Sequence, residues 1–426
     1  MSPLTDHTSL YGLAVGSVLL AKLLLSIPFR RRADPFARPQ PASRASVTAL
    51  ITVYNEDPRI LHDCLESLFR QTRVPDQIVV IDDGSDAADA ADAATRVAPY
   101  FHGQGIGFQV IRYLRNRGKR HALAVGVRAA WDAEVYLCVD SDTVLARTAI
   151  EEAMRPMASR RVMCVTGLVL ALNRSRNLLT RLIDMRYVNA FLGERVAYSR
   201  LGSVLCACGS MALYRGWVVR KNLSDFLTQT WLGAPANAGD DRRLTYYCLM
   251  EGRAVIQPRA VAWTAVPENM THYLKQQTRW TKSFIREGIL MVATSPLRVC
   301  WWLNLVELAT WVAFTSALLV ALAAFALHPH WWTVAAGYFT YMCAMSWLRS
   351  LHYLRGAAGV PLPDRIGTFL AAPLYALMNL TMLIPLRFCA IATIRNAAWG
   401  TRSGGVEVAH HSGHQAGQRS PVRSAA

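Results

Sequence analysis

The stretch Ala133-Glu134-Val135-Tyr136-Leu137-Cys138-Val139 runs directly into Asp140-Ser141-Asp142. Apart from Glu134 its side chains are apolar or aromatic, which suits a strand buried on both faces of a parallel sheet. Two carboxylates one residue apart at the C-terminal end of such a strand sit over the crevice where open α/β sheets bind ligands. Paired carboxylates suit a hard cation, and a hard cation suits a diphosphate. A solvated acidic turn has the same local sequence, so the rest of the chain has to decide between the two.

Upstream, residues 47–53 read as a strand, and 58–71 as a helix with Leu61, Leu65 and Leu68 on one face. Residues 77–81 read as a strand ending in Asp82-Asp83-Gly84-Ser85. A helix at 87–97, a strand at 108–113 and a helix at 118–131 lead to the Asp140 strand. This alternation predicts a parallel, doubly wound sheet with Asp82, Asp83, Asp140 and Asp142 on one edge. Residues 150–265 are soluble in character but less regular.

The chain has 426 residues, enough for two domains or for one domain and a membrane part. It is 52% apolar and only 18% charged, low for a soluble protein. The net charge of +17 fits loops flanking membrane spans. It also fits nucleic-acid binding, but no basic stripe interleaved with aromatics is present, and nucleic acid is not an expected partner. The nine cysteines have no paired C-x-x-C spacing, so buried reduced thiols are the default.

Residues 11–29 form an apolar run broken only by Lys22 and followed by Arg30-Arg31-Arg32. That is one span with its basic end in the cytosol. A signal peptide competes, but no small-residue cleavage site follows. Residues 303–327, with Glu307 inside, and 331–347 read as further spans, joined by His328-Pro329-His330. Residues 368–386 are long enough to cross, but a single crossing places Arg395 and Arg402 outside. Pro361, Pro363, Pro373 and Pro385 allow a broken element that returns to the cytosol. Glu307 either faces water at a span's end or lines a polar path. The helix expected at 177–198 is amphipathic. Residues 271–292 suit either an interfacial helix or a surface helix of the soluble part.

The expected organisation is therefore an N-terminal membrane helix (1–32), a linker (33–45) and a cytosolic catalytic domain (46–270). An interfacial helix (271–297), a C-terminal membrane region (298–390) and a cytosolic loop with a disordered tail (391–426) follow. The protein is expected in the cell membrane, multi-pass, in contact with lipid.

In chain order the sequence carries Tyr54-Asn55-Glu56-Asp57, Asp82-Asp83-Gly84-Ser85, Gly118-Lys119-Arg120, Asp140-Ser141-Asp142, Gly239-Asp240-Asp241-Arg242 and Gln276-Gln277-Thr278-Arg279-Trp280. Each is weak alone. In this order, followed by apolar spans, the set resembles the processive family-two glycosyltransferases, which have a GT-A fold. Arg279-Trp280-Thr281-Lys282-Ser283-Phe284-Ile285-Arg286-Glu287 and the segment ending Trp399-Gly400-Thr401-Arg402 are similar to bacterial hyaluronan synthases. Asn55-Glu56-Asp57-Pro58-Arg59 and Cys206-Ala207-Cys208-Gly209 look more like nodulation-type chitin-oligosaccharide synthases.

The resemblance implies a fold and a set of roles. The fold is an α/β GT-A-type, Rossmann-like cytosolic domain combined with an α-helical transmembrane region. Asp142, with Asp140, holds Mg2+ or Mn2+. Asp82, Asp83, Lys119, Asp140, Arg279, Trp399 and Arg402 bind the nucleotide. Gln276, Trp280, Cys208 and Gly209 meet the acceptor sugar. Asp241 is the general base. Ordinary alternatives stand beside each role: an Asx-type cap for Asp82 and Asp83, a solvated helix-start lysine for Lys119, and a helix N-cap at Asp240 or Asp241. For Trp280, Trp399 and Arg402 the alternative is a membrane anchor.

The implied function is an inverting synthase that makes hyaluronan from UDP-GlcNAc and UDP-GlcA and exports the growing polysaccharide. A chitin-oligosaccharide synthase using UDP-GlcNAc alone is the rival enzyme. An inactive membrane scaffold or transporter component is the rival of another class.

Overall fold

The computed structural model describes residues 3–27, 42–236, 238–327, 331–357 and 359–396. Arg30 to Arg32, most of the linker, the turn at His328 to His330, and Trp399, Arg402 and the tail lie outside the described residues.

The core is an eight-stranded sheet in the order β3-β2-β1-β4-β7-β6-β10-β5. Its strands are β1 (Val47–Val53), β2 (Gln77–Asp82), β3 (Gly107–Arg112), β4 (Val135–Asp140), β5 (Thr143–Leu145), β6 (Val162–Ala171), β7 (Ala212–Arg215) and β10 (Arg253–Thr264). A two-stranded ribbon, β8 (Thr230–Trp231) with β9 (Ala234–Pro235), stands apart.

Helices cover both faces, so the strands need no polar alternation. In β1, Ala49, Ile51 and Val53 pack toward Leu61, Leu65 and Leu68 of the helix Pro58–Phe69. Leu50 packs on the other side with Ala122, Leu123 and Val127 of the helix Lys119–Ala129. The three leucines are essentially unexposed, and burying each is worth about 1.5–3 kcal/mol.

The expected all-parallel sheet is corrected in its second half. β1, β2, β3 and β4 are parallel to one another, but β7 runs antiparallel to both β4 and β6, and β5 antiparallel to β10. Helices still separate most strands after β4, including those from Leu178 to Arg200 between β6 and β7, but they return the chain so that β7 runs against both of its neighbours. The reversal has a consequence. Because Ala212 at the start of β7 pairs with Cys138 near the end of β4, the loop before β7 lies over the acidic edge.

The expected 177–198 helix is real but composite. Asn177 and Thr180 form a capping box, the helix Leu178–Val188 follows, and a π-helical turn Asn189–Arg195 leads into Val196–Arg200. The expected helix at 271–292 spans Met270–Thr294. One side is buried through Tyr273, Ser283, Glu287 and Met291, while Trp280 and Ile289 stay exposed.

Apolar helices Pro3–Ser26, Val299–Leu327 and Trp331–Arg349 occupy the expected span regions. Among the described residues one helical run, Ala372–Ala392, is long and apolar enough to cross a membrane. It passes through a π-helical turn at Asn379–Leu383 and begins four residues later than the expected 368–386 segment.

These helices are tied to the sheet domain by buried polar contacts. Glu307 is turned toward its neighbouring helices. It receives the Lys22 ammonium at 2.5 Å and the Tyr198 hydroxyl. Ser26 Oγ lies 2.7 Å from His352 Nε2. Tyr353 is fully buried; its hydroxyl donates to Asp184 at 3.0 Å and accepts from Arg174 Nε at 3.1 Å. Removing that hydroxyl leaves two buried charged groups short of a partner. Tyr353→Phe is therefore expected to destabilise the protein by about 1–3 kcal/mol, read as a lower denaturation midpoint of the purified chain.

Candidate active site

β1, β2 and β4 end together. Val53 is in register with Asp82, and Thr52 with Asp140. The acids of two different motifs are thereby brought to one rim.

At the β2 end the carboxylates are consumed by the turn. Asp82 is unexposed; Oδ1 accepts from Ser85 N–H at 3.0 Å and Ser85 Oγ at 2.6 Å, and Oδ2 pairs with Arg112 Nε at 3.2 Å. These are the contacts of a turn cap. Asp83 accepts from the N–H groups of Arg117 at 2.9 Å and Gly118 at 2.7 Å. Burial raises the Asp83 pKa, and those two hydrogen bonds oppose the rise. Its visible work is to fix the loop that delivers Lys119. Gly84 is required here: its φ is +73°, and an added Cβ would stand 2.4 Å from the Arg115 carbonyl carbon.

Lys119 begins its helix and reaches the β4 end. Its ammonium pairs with Asp140 Oδ1 and lies 3.8 Å from Asp240 Oδ2. Burial alone lowers the Lys119 pKa, but the charges of Asp140, Asp240 and Asp241 outweigh it and the net shift is upward. The solvated-lysine alternative does not describe it. Asp140 Oδ2 accepts from Ser210 Oγ at 2.9 Å, and a Cβ on Gly209 would come within 3.3 Å of Lys119 Nζ. The reversed β7 thus supplies the loop that closes over the Lys119–Asp140 pair. The Cys208 N–H is held by Thr166 Oγ1 at 3.2 Å.

Asp142 sits one turn further on, half-buried, with Oδ1 accepting from Thr264 Oγ1 at 2.9 Å. Thr143 in turn donates to Thr264 at 3.1 Å. Asp140 and Asp142 offer only carboxylate oxygens, a donor set that fits a hard divalent cation completed by phosphate oxygens.

On the far side of Lys119 the helix Asp240–Glu251 begins. The N-cap is Gly239, not Asp240 or Asp241. Gly239 has φ +92°, and an added Cβ would lie 2.1 Å from Ser283 Oγ on the helix Met270–Thr294. Asp241 is half-buried, with Oδ1 accepting from Arg242 N–H at 2.7 Å and Oδ2 from Cys206 Sγ at 3.5 Å. Burial and then the Asp240 charge raise its pKa, against Arg242 and Lys119. A carboxylate so raised is better suited to take a proton near neutral pH.

Trp280 projects from the same Met270–Thr294 helix, 46% exposed, its ring 6.3 Å from that of Tyr187. Gln276 lies one turn earlier, half-buried. Arg279 shares that helix turn. Sequence reasoning missed Thr264 and Tyr187, which carried no signal without the strand and helix that bring them in.

An α/β sheet whose acidic C-terminal rim holds an Asp-x-Asp, a lysine and a buried helix-start Asp defines a GT-A-type, nucleotide-sugar-dependent glycosyltransferase. Residues 43–283 match the family described as "Glycosyltransferase like family 2", and the chain belongs to that family. It is similar to hyaluronan synthase of Streptococcus pyogenes, 36% identical over 407 residues, covering 93% of this chain and 91% of the relative. It is also similar to an N-acetylglucosaminyltransferase of Rhizobium leguminosarum bv. viciae, 33% identical over 388 residues, 89% of this chain and 86% of the relative. Among solved structures, a mannosyltransferase of Pyrobaculum calidifontis in complex with GDP-Man and Mn2+ shares the fold. Its TM-score is 0.57 at 21% identity, over 88% of this chain and 99% of that one.

Gly239→Ala is expected to cost roughly 2–4 kcal/mol, combining left-handed strain with the Ser283 overlap. A lower thermal midpoint together with lost transferase activity is the measurement, since Asp240 and Asp241 shift with that turn.

Proposed function

We propose that this chain is a membrane-embedded, processive, inverting hyaluronan synthase that uses UDP-GlcNAc and UDP-GlcA. The carrying observation is similarity at 36% identity that runs through 93% of the chain, apolar helices included, and not through the catalytic domain alone.

In this reading an acceptor hydroxyl attacks the anomeric carbon of the donor sugar. The bond from that carbon to the diphosphate oxygen breaks as the new glycosidic bond forms, and Asp241 takes the hydroxyl proton. One displacement inverts the centre, so an α-linked donor gives a β-linkage. A divalent cation, Mg2+ or Mn2+, held by Asp142 with Asp140, supplies charge neutralisation to the departing diphosphate. Lys119 adds a point charge to the same phosphates. Asp83 holds the loop before Lys119 and borders the nucleotide. Arg279, Trp399 and Arg402 serve the nucleotide in this reading. Gln276, Trp280, Cys208 and Gly209 contact the acceptor, with the Trp280 ring as a flat face for a sugar.

The catalytic domain faces the cytosol. Helices Pro3–Ser26, Val299–Leu327, Trp331–Arg349 and Ala372–Ala392 lie in the bilayer and form the exit route. Supporting this, Trp302, Val312, Phe339, Leu374 and Phe388 on those helices are all exposed, an apolar surface that water would penalise. Arg349 and Arg355 at the inner end agree with the positive-inside tendency.

Membranes given both labelled donors are expected to incorporate both sugars, with incorporation collapsing when either is omitted. Full incorporation from UDP-GlcNAc alone would replace this reading with a chitin-oligosaccharide synthase, as the rhizobial relative allows. Asp241→Asn is expected to cut polymer synthesis at least about 100-fold while leaving UDP affinity within a few-fold. Retained synthesis would remove Asp241 from the base role, and absence of synthesis in the native chain under all donors would favour an inactive scaffold.

A further inference from the structure

Asp241 is held by two donors of very different strength. Oδ1 takes the backbone N–H of Arg242 at 2.7 Å, and Oδ2 takes the thiol of Cys206 at 3.5 Å. A thiol is the weakest hydrogen-bond donor a side chain can offer such an oxygen.

The thiol is not there by accident of a loose loop. The Cys206 carbonyl accepts from Arg195 Nε at 3.0 Å, and the Arg195 guanidinium lies 4.0 Å from the centre of the Phe191 ring. The next residue, Ala207, donates its N–H to Thr245 Oγ1 at 2.9 Å, and Thr245 donates to the Asp241 carbonyl at 2.7 Å. Cys208 N–H is fixed on Thr166. Cys206 and Asp241 are therefore sewn to each other through backbone as well as side chain. Burial, followed by the Asp241 charge, pushes the Cys206 thiol up to about 12, so it stays a donor at neutral pH.

We propose that Cys206 is a positioning residue for the base, its S–H aiming Asp241 Oδ2 at the acceptor hydroxyl. The chemistry explains why sulfur serves. A hydrogen bond to a carboxylate stabilises the charged form and lowers its basicity. A strong O–H or N–H donor on Oδ2 would orient the group but weaken it as a base. A thiol orients it at little cost in proton affinity. The charged and titratable groups facing the pair are Asp240, Arg242 and Lys119 around Asp241, and Arg242, Arg195 and the Cys208 thiol around Cys206. No other donor to Oδ2 is among the described hydrogen bonds.

This inference rests on Asp241 being the base. The test is the pH dependence of polymer synthesis at saturating donor for the native chain, Cys206→Ala and Cys206→Ser, with UDP affinity measured beside it. Cys206→Ala loses the donor, so the acidic limb is expected to move up by about half a pH unit. The plateau rate is expected to fall several-fold from lost aim. Cys206→Ser installs a stronger donor, so its limb is expected to move down. An unmoved limb and plateau in Cys206→Ala, or both variants shifting the same way, would overturn the proposal and leave packing as the role. If Cys206→Ala fails to bind UDP, the direction of the Cys206→Ser shift decides alone. Synthesis surviving in Asp241→Asn sinks the base assignment itself, whereas an inactive Asp241→Asn with an unmoved Cys206→Ala limb sinks only the thiol's part.

Discussion

Three carboxylates, those of Asp140, Asp240 and Asp241, share the field of one ammonium, that of Lys119. Everything at the rim follows from that imbalance. Like charges packed at a strand end and a helix start repel unless a cation lies between them, and Lys119 is the cation the chain itself provides. In the proposed function, a divalent cation brought with the diphosphate would add to the positive charge that Lys119 supplies. Lys119 can do this only because its approach is rigid: Asp83 grips the two N–H groups before it, and Gly84 lets the chain pass close by.

The second constraint is geometric. A parallel strand brings the loop that follows it to this rim, whereas an antiparallel strand brings the loop that precedes it. β7 is antiparallel, and the Cys206 to Ser210 segment before it arrives with its backbone pinned by Thr166 and Thr245. In the proposed function, that change in strand direction is what would place the acceptor-side loop beside the nucleotide.

Much of the first half was legible because its physics is local. Continuous apolar strands, a leucine face at 61, 65 and 68, and acids at strand ends each carry their own period or punctuation, and β1 matches the expected strand at both ends. The second half was not. β6 is buried along all ten of its residues and shows no alternation to read. β7 has four residues, too few for a pattern. The roles within Asp82-Asp83 were equally hidden, since a turn cap and a ligand contact ask for the same side chain, and both carboxylates are buried and held by protein donors. Gly239 was passed over as a spacer before the acids, because the Ser283 side chain that demands a glycine there belongs to a helix 44 residues later.

That helix, Met270–Thr294, also explains how the rim and the apolar helices act as one body. Through Ser283 it touches the turn that sets Asp241, and through Glu287 it pairs with Arg243 at 2.8 Å on the Asp241 helix. In the other direction, Asn304 donates to the Gly288 carbonyl at 2.7 Å and Tyr273 meets Tyr375 at 3.1 Å. Trp280 is carried by the same helix, so the exposed ring and the turn before Asp241 are positioned by one element, and in the proposed function the acceptor platform and the base would be set together.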